Sequence, residues 1–291
     1  MEHSVRRTLV WLGTGVVAQR ALQLLAFVCV ARTLGVDGLG VFAQGQALAA
    51  VLAVLAGAGV RNVVARAVAR DPHAARGLVG RAVQLRLAVG LTLVAVAGAI
   101  AFPASTRPWF WFLCALQVVP AAFDLKNLVD AAGRTRGEVA LESGAAALQL
   151  AGVVAWAAFD GQRLEVLAGV ALACRCVYAG GALLAIRALP TGTAVRPPLV
   201  GTGAVAIGQT AHELLAIGDV ALVALACGDA VSGYYAVAAR CAAAAMLPSA
   251  QLARLLLPHL LHAHRAGDAL HTVATALRAT LWLTAPVCAG G

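Results

Sequence analysis

The chain is a series of apolar blocks about 20 residues long, the length a helix needs to cross the roughly 30 Å hydrocarbon core of a bilayer. The blocks lie at 8–31, 39–60, 82–103, 109–130, 138–158, 164–187, 199–226, 230–256 and 273–291. This pattern predicts an all-α polytopic membrane protein of about nine transmembrane helices. Composition agrees: 61% of the 291 residues are hydrophobic and 12% charged, where a soluble domain carries about a quarter. Turn chemistry separates the blocks, at Leu34-Gly35-Val36-Asp37-Gly38, Phe159-Asp160-Gly161 and Gly228-Asp229. Pro103 and Pro108 bracket another connection, and Trp109 and Trp111 follow it at the level of an aromatic belt.

The net charge of +9 would point to nucleic acid in a soluble chain. In a membrane protein it reads as positive cytoplasmic loops. With the N-terminus cytoplasmic, sixteen of the 22 basic residues fall on the cytoplasmic side or its flanks and only Arg32, Arg107 and Arg163 on the other. The remaining Arg20, Arg175 and Arg240 lie within spans. The stretch from Arg61 to Arg81 alternates Arg with Val and Ala and reads mainly as a topology-fixing charged segment at the cytoplasmic interface. Arg6 and Arg7 followed by an apolar run resemble a signal peptide, but the run continues to Ala31 and is read as an uncleaved first helix.

Catalytic and cofactor motifs are missing. Lys126 is the only lysine and precedes Asn127, so there is no Walker-A loop, and there is no G-x-S-x-G or H-E-x-x-H. No catalytic residue, cofactor or metal is assigned. The cysteines, at 29, 114, 174, 176, 227, 241 and 288, form no C-x-x-C and read as small buried hydrophobes. His259, His262, His264 and His271 cluster after the eighth block without an i,i+4 pair.

One internal repeat stands out, at an offset of 193 residues. It pairs Gly15 with Gly208, Gly35 with Gly228, Gly40 with Gly233, Phe42 with Tyr235, Ala43 with Ala236 and Arg61 with Arg254. Helices 1 and 2 thereby correspond to helices 7 and 8, in the same orientation, as in transporters built from parallel repeats with the substrate path between halves. The expected organisation is a first six-helix half at 1–198 and a partial second half, helices 7–9, at 199–291. A second half of full length would add three spans, so the chain is expected to be a fragment of a longer protein.

Polar groups inside hydrocarbon spans cost several kcal/mol unless they face a cavity or a partner. Helix 1 holds Gln19, Arg20 and Gln23, helix 4 Gln117 and Asp124, helix 5 Glu142 and Gln149, helix 6 Arg175 and Tyr178. Helix 7 holds His212, Glu213 and Asp219, and helix 8 Arg240. The expected substrate lumen is lined by Gln19, Arg20, Gln23, Arg175, His212 and Arg240, with the three arginines suited to phosphate, which guanidinium binds bidentately. Glu213 and Asp219 are the expected carriers of a coupling proton or sodium ion. The competing reading is structural pairing, such as Arg20 with Glu213 or Arg240 with Asp219.

Gly13-Thr14-Gly15 through Val30-Ala31-Arg32-Thr33-Leu34-Gly35 and on to Gly40-Val41-Phe42-Ala43 resembles the first helix pair of Wzx-type polysaccharide flippases. These belong to the superfamily that also holds the multidrug MATE exporters and the lipid II flippase. Asp219-Val220-Ala221-Leu222 through Gly233-Tyr234-Tyr235-Ala236 to Arg240 resembles their seventh and eighth helices, and Leu257-Pro258 with Arg265-Ala266-Gly267-Asp268 the following loop. The resemblance implies two halves working by ion-coupled alternating access in a bacterial inner membrane. It implies an undecaprenyl-pyrophosphate-linked oligosaccharide as cargo, for capsule, exopolysaccharide or the O-antigen of lipopolysaccharide, and a polysaccharide polymerase and glycosyltransferases as further partners. The alternatives are a MATE-like multidrug or small-molecule antiporter, a membrane transferase, and an inactive truncated flippase fragment.

Overall fold

The computed structural model describes residues 2–57, 60, 64, 75–124, 135–159, 161, 163–187 and 203–243, and among these it is helical apart from short turns. In chain order the helices are α1 (Glu2–Gly57), α2 (Ala75–Ala104), α3 (Pro108–Leu116), α4 (Val118–Ala121), α5 (Thr135–Phe159), α6 (Leu164–Arg187) and α7 (Gly203–Cys227). An eighth helix, α8, covers 229–243. Seven of the nine expected spans are thus helical over their described parts, and an eighth, at 109–130, is helical with a break. The ninth, at 273–291, lies outside the described residues, as do the histidine cluster and the boundary expected at 198/199. The described chain forms two compact units, Gly15–Tyr235 and, separately, the two ends that flank it.

Among the described residues, four helices are long and apolar enough to cross a membrane: 14–57, 75–103, 137–159 and 164–187. The first is 44 residues long, about 66 Å at 1.5 Å per residue, twice what a bilayer core accepts. Gly35 resolves the excess. Its φ of 68° and ψ of −172° break α1 into two arms in a region of backbone space essentially closed to residues with a Cβ. Its repeat mate Gly228 also has positive φ, 86°. There it ends α7, donating its N–H to the Ala224 carbonyl at 2.9 Å, a left-handed helix cap.

The segment 108–124 is broken for a different reason. Pro108 opens α3 at a position where its missing N–H costs nothing. Pro120 then has no N–H to give the Leu116 carbonyl, so the helix ends there and restarts as α4. The guanidinium of buried Arg86, on α2, takes up the end of α4: Nη1 donates to the Asp124 carbonyl at 2.9 Å and Nη2 to that of Ala121 at 2.8 Å. The Ala121 carbonyl also accepts the Asp124 N–H at 3.1 Å, so the guanidinium adds a second donor at this helix end.

The main core joins both arms of α1 to α3, α5 and α6, through Phe27, Val30, Phe42, Phe110, Trp156 and Leu167. Trp156 also donates its Nε1–H to the Arg163 carbonyl at 3.1 Å, closing the α5–α6 turn. A second cluster packs Leu52 against Val94, Ala115 and Val118. The outer faces carry large apolar side chains, among them Leu91, Val96 and Ile100 on α2, the last 62% exposed. Such a surface is the reverse of a soluble protein's and suits lipid. Phe102, Trp109 and Phe112 cluster edge-on at the α2–α3 connection, Phe102 and Trp109 with centroids 5.3 Å apart. The six described cysteines are unpaired, and only Cys114 and Cys174 are buried; Cys176, Cys227 and Cys241 are exposed, which corrects the expectation that they are interior residues. On apolar helices a small soft side chain is as well placed against lipid as in a core.

Candidate functional site

A cavity of about 300 Å³ opens among α1, α4, α5 and α6, wholly within the unit 15–235. The first arm of α1 contributes Gln19 and Gln23, one turn apart, and the second arm Gln46. The segment after α4 contributes Asp124, α5 Glu142 and Gln149, and α6 Cys174, Arg175 and Tyr178. Gln19 is 6% exposed, while Asp124, Glu142, Arg175 and Tyr178 are half-buried. The charge of Asp124 acts on the Arg175 guanidinium. In a site walled by apolar helices that attraction is stronger than in water. Arg86 matters here because it holds the backbone that carries Asp124.

Of the residues expected to line a lumen, Gln19, Gln23 and Arg175 come together in this cavity. Arg20 does not line it. Its side chain is exposed and its Nη1 donates to Gln23 Oε1 at 3.1 Å. Arg240 is exposed on α8. The side chains of His212 and Glu213 lie outside the described residues. Asp219 lies within α7, two turns before its end, where Oδ2 accepts the Tyr235 hydroxyl of α8 at 2.6 Å and Oδ1 the Val220 N–H at 2.7 Å. Glu142 was recognisable in the sequence as an intramembrane acid, whereas Asp124, beside Lys126 at the cytoplasmic end of its block, also read as an interfacial residue; the meeting of both with Arg175 was not legible. The only signal was that each breaks an apolar run.

A second polar cluster joins the repeats. Gln44 Nε2 donates to Asp229 Oδ1 at 2.7 Å and to Ser232 Oγ at 3.3 Å, and Ser232 Oγ–H donates to the Asp229 carbonyl at 2.9 Å. It ties the second arm of α1 to the start of α8.

No protein-family model and no curated protein matches the sequence. Solved structures do match in fold. The MATE multidrug transporter DinF-BH, solved in complex with R6G, aligns over 98% of this chain and 71% of its own, with TM-score 0.65 and 15% identity. An inward-facing multidrug resistance MATE family transporter of the MOP superfamily aligns over 91% of this chain and 67% of its own, with TM-score 0.64 and 17% identity. A MOP superfamily transporter from Pyrococcus furiosus, described as having a binding pocket of reversed polarity, aligns over 96% and 68%, with TM-score 0.62 and 16% identity. The chain is therefore an all-α, multi-pass membrane protein with the fold of the MATE and MOP transporters.

Proposed function

We propose that the protein is an ion-coupled transporter that moves an undecaprenyl-pyrophosphate-linked oligosaccharide from the cytoplasmic to the outer face of a bacterial cell membrane by alternating access, with its N-terminus cytoplasmic. The transporter part rests on one observation: a polar, charged cavity inside a bundle whose outer face is apolar. Charges within a span face a cavity or pair with one another, and they are costly to keep for structure alone. The cargo part rests on the resemblance carried by 13–43 and 219–240 and on exposed Arg20, which stands beside the cavity residue Gln19 and whose Nη1 donates to the Gln23 amide oxygen. In this reading Asp219, hydrogen-bonded to Tyr235, and Glu213 carry the coupling ion, and a polymerase and glycosyltransferases act on either side of the transport step.

A second reading is export of drug-like or other small molecules. The carboxylates Asp124 and Glu142 in the cavity favour it, as does the fold shared with multidrug transporters. Deleting the gene at its native locus and extracting membrane polyprenyl lipids for mass spectrometry separates the two. Accumulated undecaprenyl-pyrophosphate saccharide with loss of surface polymer supports the flippase. An unchanged lipid pool with raised sensitivity to toxic compounds supports the small-molecule exporter.

A further inference from the structure

The cavity of the first half combines opposite charges that a lipid-linked cargo does not account for. Its volume of about 300 Å³ lies at the lower end of the range of small-molecule sites, enough for a small polar molecule. The wall holds one guanidinium, Arg175, and two carboxylates, Asp124 and Glu142. It also holds an unspent donor: Gln46 Nε2 is buried with no hydrogen-bond partner among the described residues. Gln23, also on the wall, has its Oε1 engaged by Arg20.

Charge decides what such a space accepts. A simple anion would meet two carboxylates, and a simple cation would meet Arg175, each a like-charge contact in a poorly screened site. A molecule bearing both charges satisfies both sides. We infer that this cavity binds a small zwitterion, with an anionic phosphate or carboxylate on Arg175 and Gln46 and an ammonium toward Asp124 and Glu142. Charge-assisted hydrogen bonds at both ends supply the affinity. The inference goes beyond the transport reading: it concerns equilibrium binding, so its failure leaves the cargo assignment standing, and the reverse.

The test uses the full chain purified in lipid-free detergent and thermal unfolding as the readout of binding. The probes are phosphoethanolamine, ethanolamine and inorganic phosphate at equal ionic strength. A rise in melting temperature with phosphoethanolamine that neither half produces, alone or mixed, supports the zwitterion. A response to phosphate alone or ethanolamine alone as large as to phosphoethanolamine overturns it. The same chemistry on a lipid headgroup is read in nanodiscs: stabilisation in phosphatidylethanolamine over phosphatidylglycerol, without an effect of the free probe, assigns the site to lipid. No stabilisation in either setting overturns the inference. Arg175→Gln is expected to weaken binding at least tenfold. Gln46→Met, which keeps the packing and removes the donor, is expected to weaken it several-fold and remains informative if the arginine variant does not fold. Unchanged affinity in both variants also overturns the inference.

Discussion

Gly40 and Gly233 each lie against the backbone of the other's helix. A Cβ on Gly40 would collide with the Asp229 carbonyl oxygen, and a Cβ on Gly233 with the Val36 carbonyl oxygen. Gly40 and Gly233 are equivalent in the 193-residue repeat, and so are Val36 and Asp229. Reciprocal contact between equivalent positions is what a two-fold axis between two copies produces. Because the obstacle is backbone, no rotamer change relieves it. Gly40→Val and Gly233→Val are each expected to destabilise the protein by at least the about 1–3 kcal/mol typical of overpacking, measured by unfolding in detergent micelles. Gly80→Ala, where a Cβ meets nothing within 4 Å, is the control and is expected to be neutral or slightly stabilising.

The glycine crossing is flanked by the hydrogen bond from Gln44 to Asp229 at 2.7 Å. Asp229 is exposed, so the bond is weaker than a buried one to a charge. A double-mutant cycle of Gln44→Leu with Asp229→Asn is expected to give a coupling of about 1 kcal/mol. Additivity of the two changes would show that the contact does not hold the repeats together.

Arg86 is buried and its guanidinium forks across the carbonyls of Ala121 and Asp124. Arg86→Met keeps much of the side-chain volume and takes a donor from two carbonyls; that of Ala121 keeps the Asp124 N–H at 3.1 Å, so the expected cost is about 1–3 kcal/mol, carried by the Asp124 carbonyl. Arg86→Lys is expected to recover only part of the loss, because an ammonium lacks the planar fork. Both follow from unfolding curves. Full recovery by lysine would mean that only the charge matters.

Asp219 and Tyr235 share a 2.6 Å hydrogen bond. If Asp219 carries the coupling ion, Asp219→Asn abolishes gradient-driven transport. Tyr235→Phe removes one donor, leaves the carboxylate, and is expected to change the rate several-fold without abolishing it. Surface-polymer export by variants in the deletion strain measures both. Full activity of Asp219→Asn would remove this residue from the coupling.

The length of the apolar blocks made the spans legible, and the Gly35–Gly228 register made the repeat legible, because both are properties of spacing along the chain. Of the three described glycines with positive φ, Gly35, Gly161 and Gly228, two fall where the repeat pairs them. Side-chain direction was far less legible. Gln19 and Gln23 share a helical face and meet in the cavity, yet Arg20, one residue along, points elsewhere. A helix apolar all round carries no moment that says which of its polar residues turns inward. The position of Asp124 was equally hidden, since it depends on the break at Gln117 that Pro120 imposes and on a guanidinium 38 residues earlier in the chain.

The central claim is a water-accessible polar cavity inside a lipid-embedded bundle. With the native cysteines replaced by serine or alanine, Gln149→Cys on the cavity wall and Ile100→Cys on the outer face of α2 would be challenged in native membranes with a charged methanethiosulfonate. The account predicts rapid labelling at 149, slowed by phosphoethanolamine, and no labelling at 100. Labelling at 100 with none at 149 would contradict it.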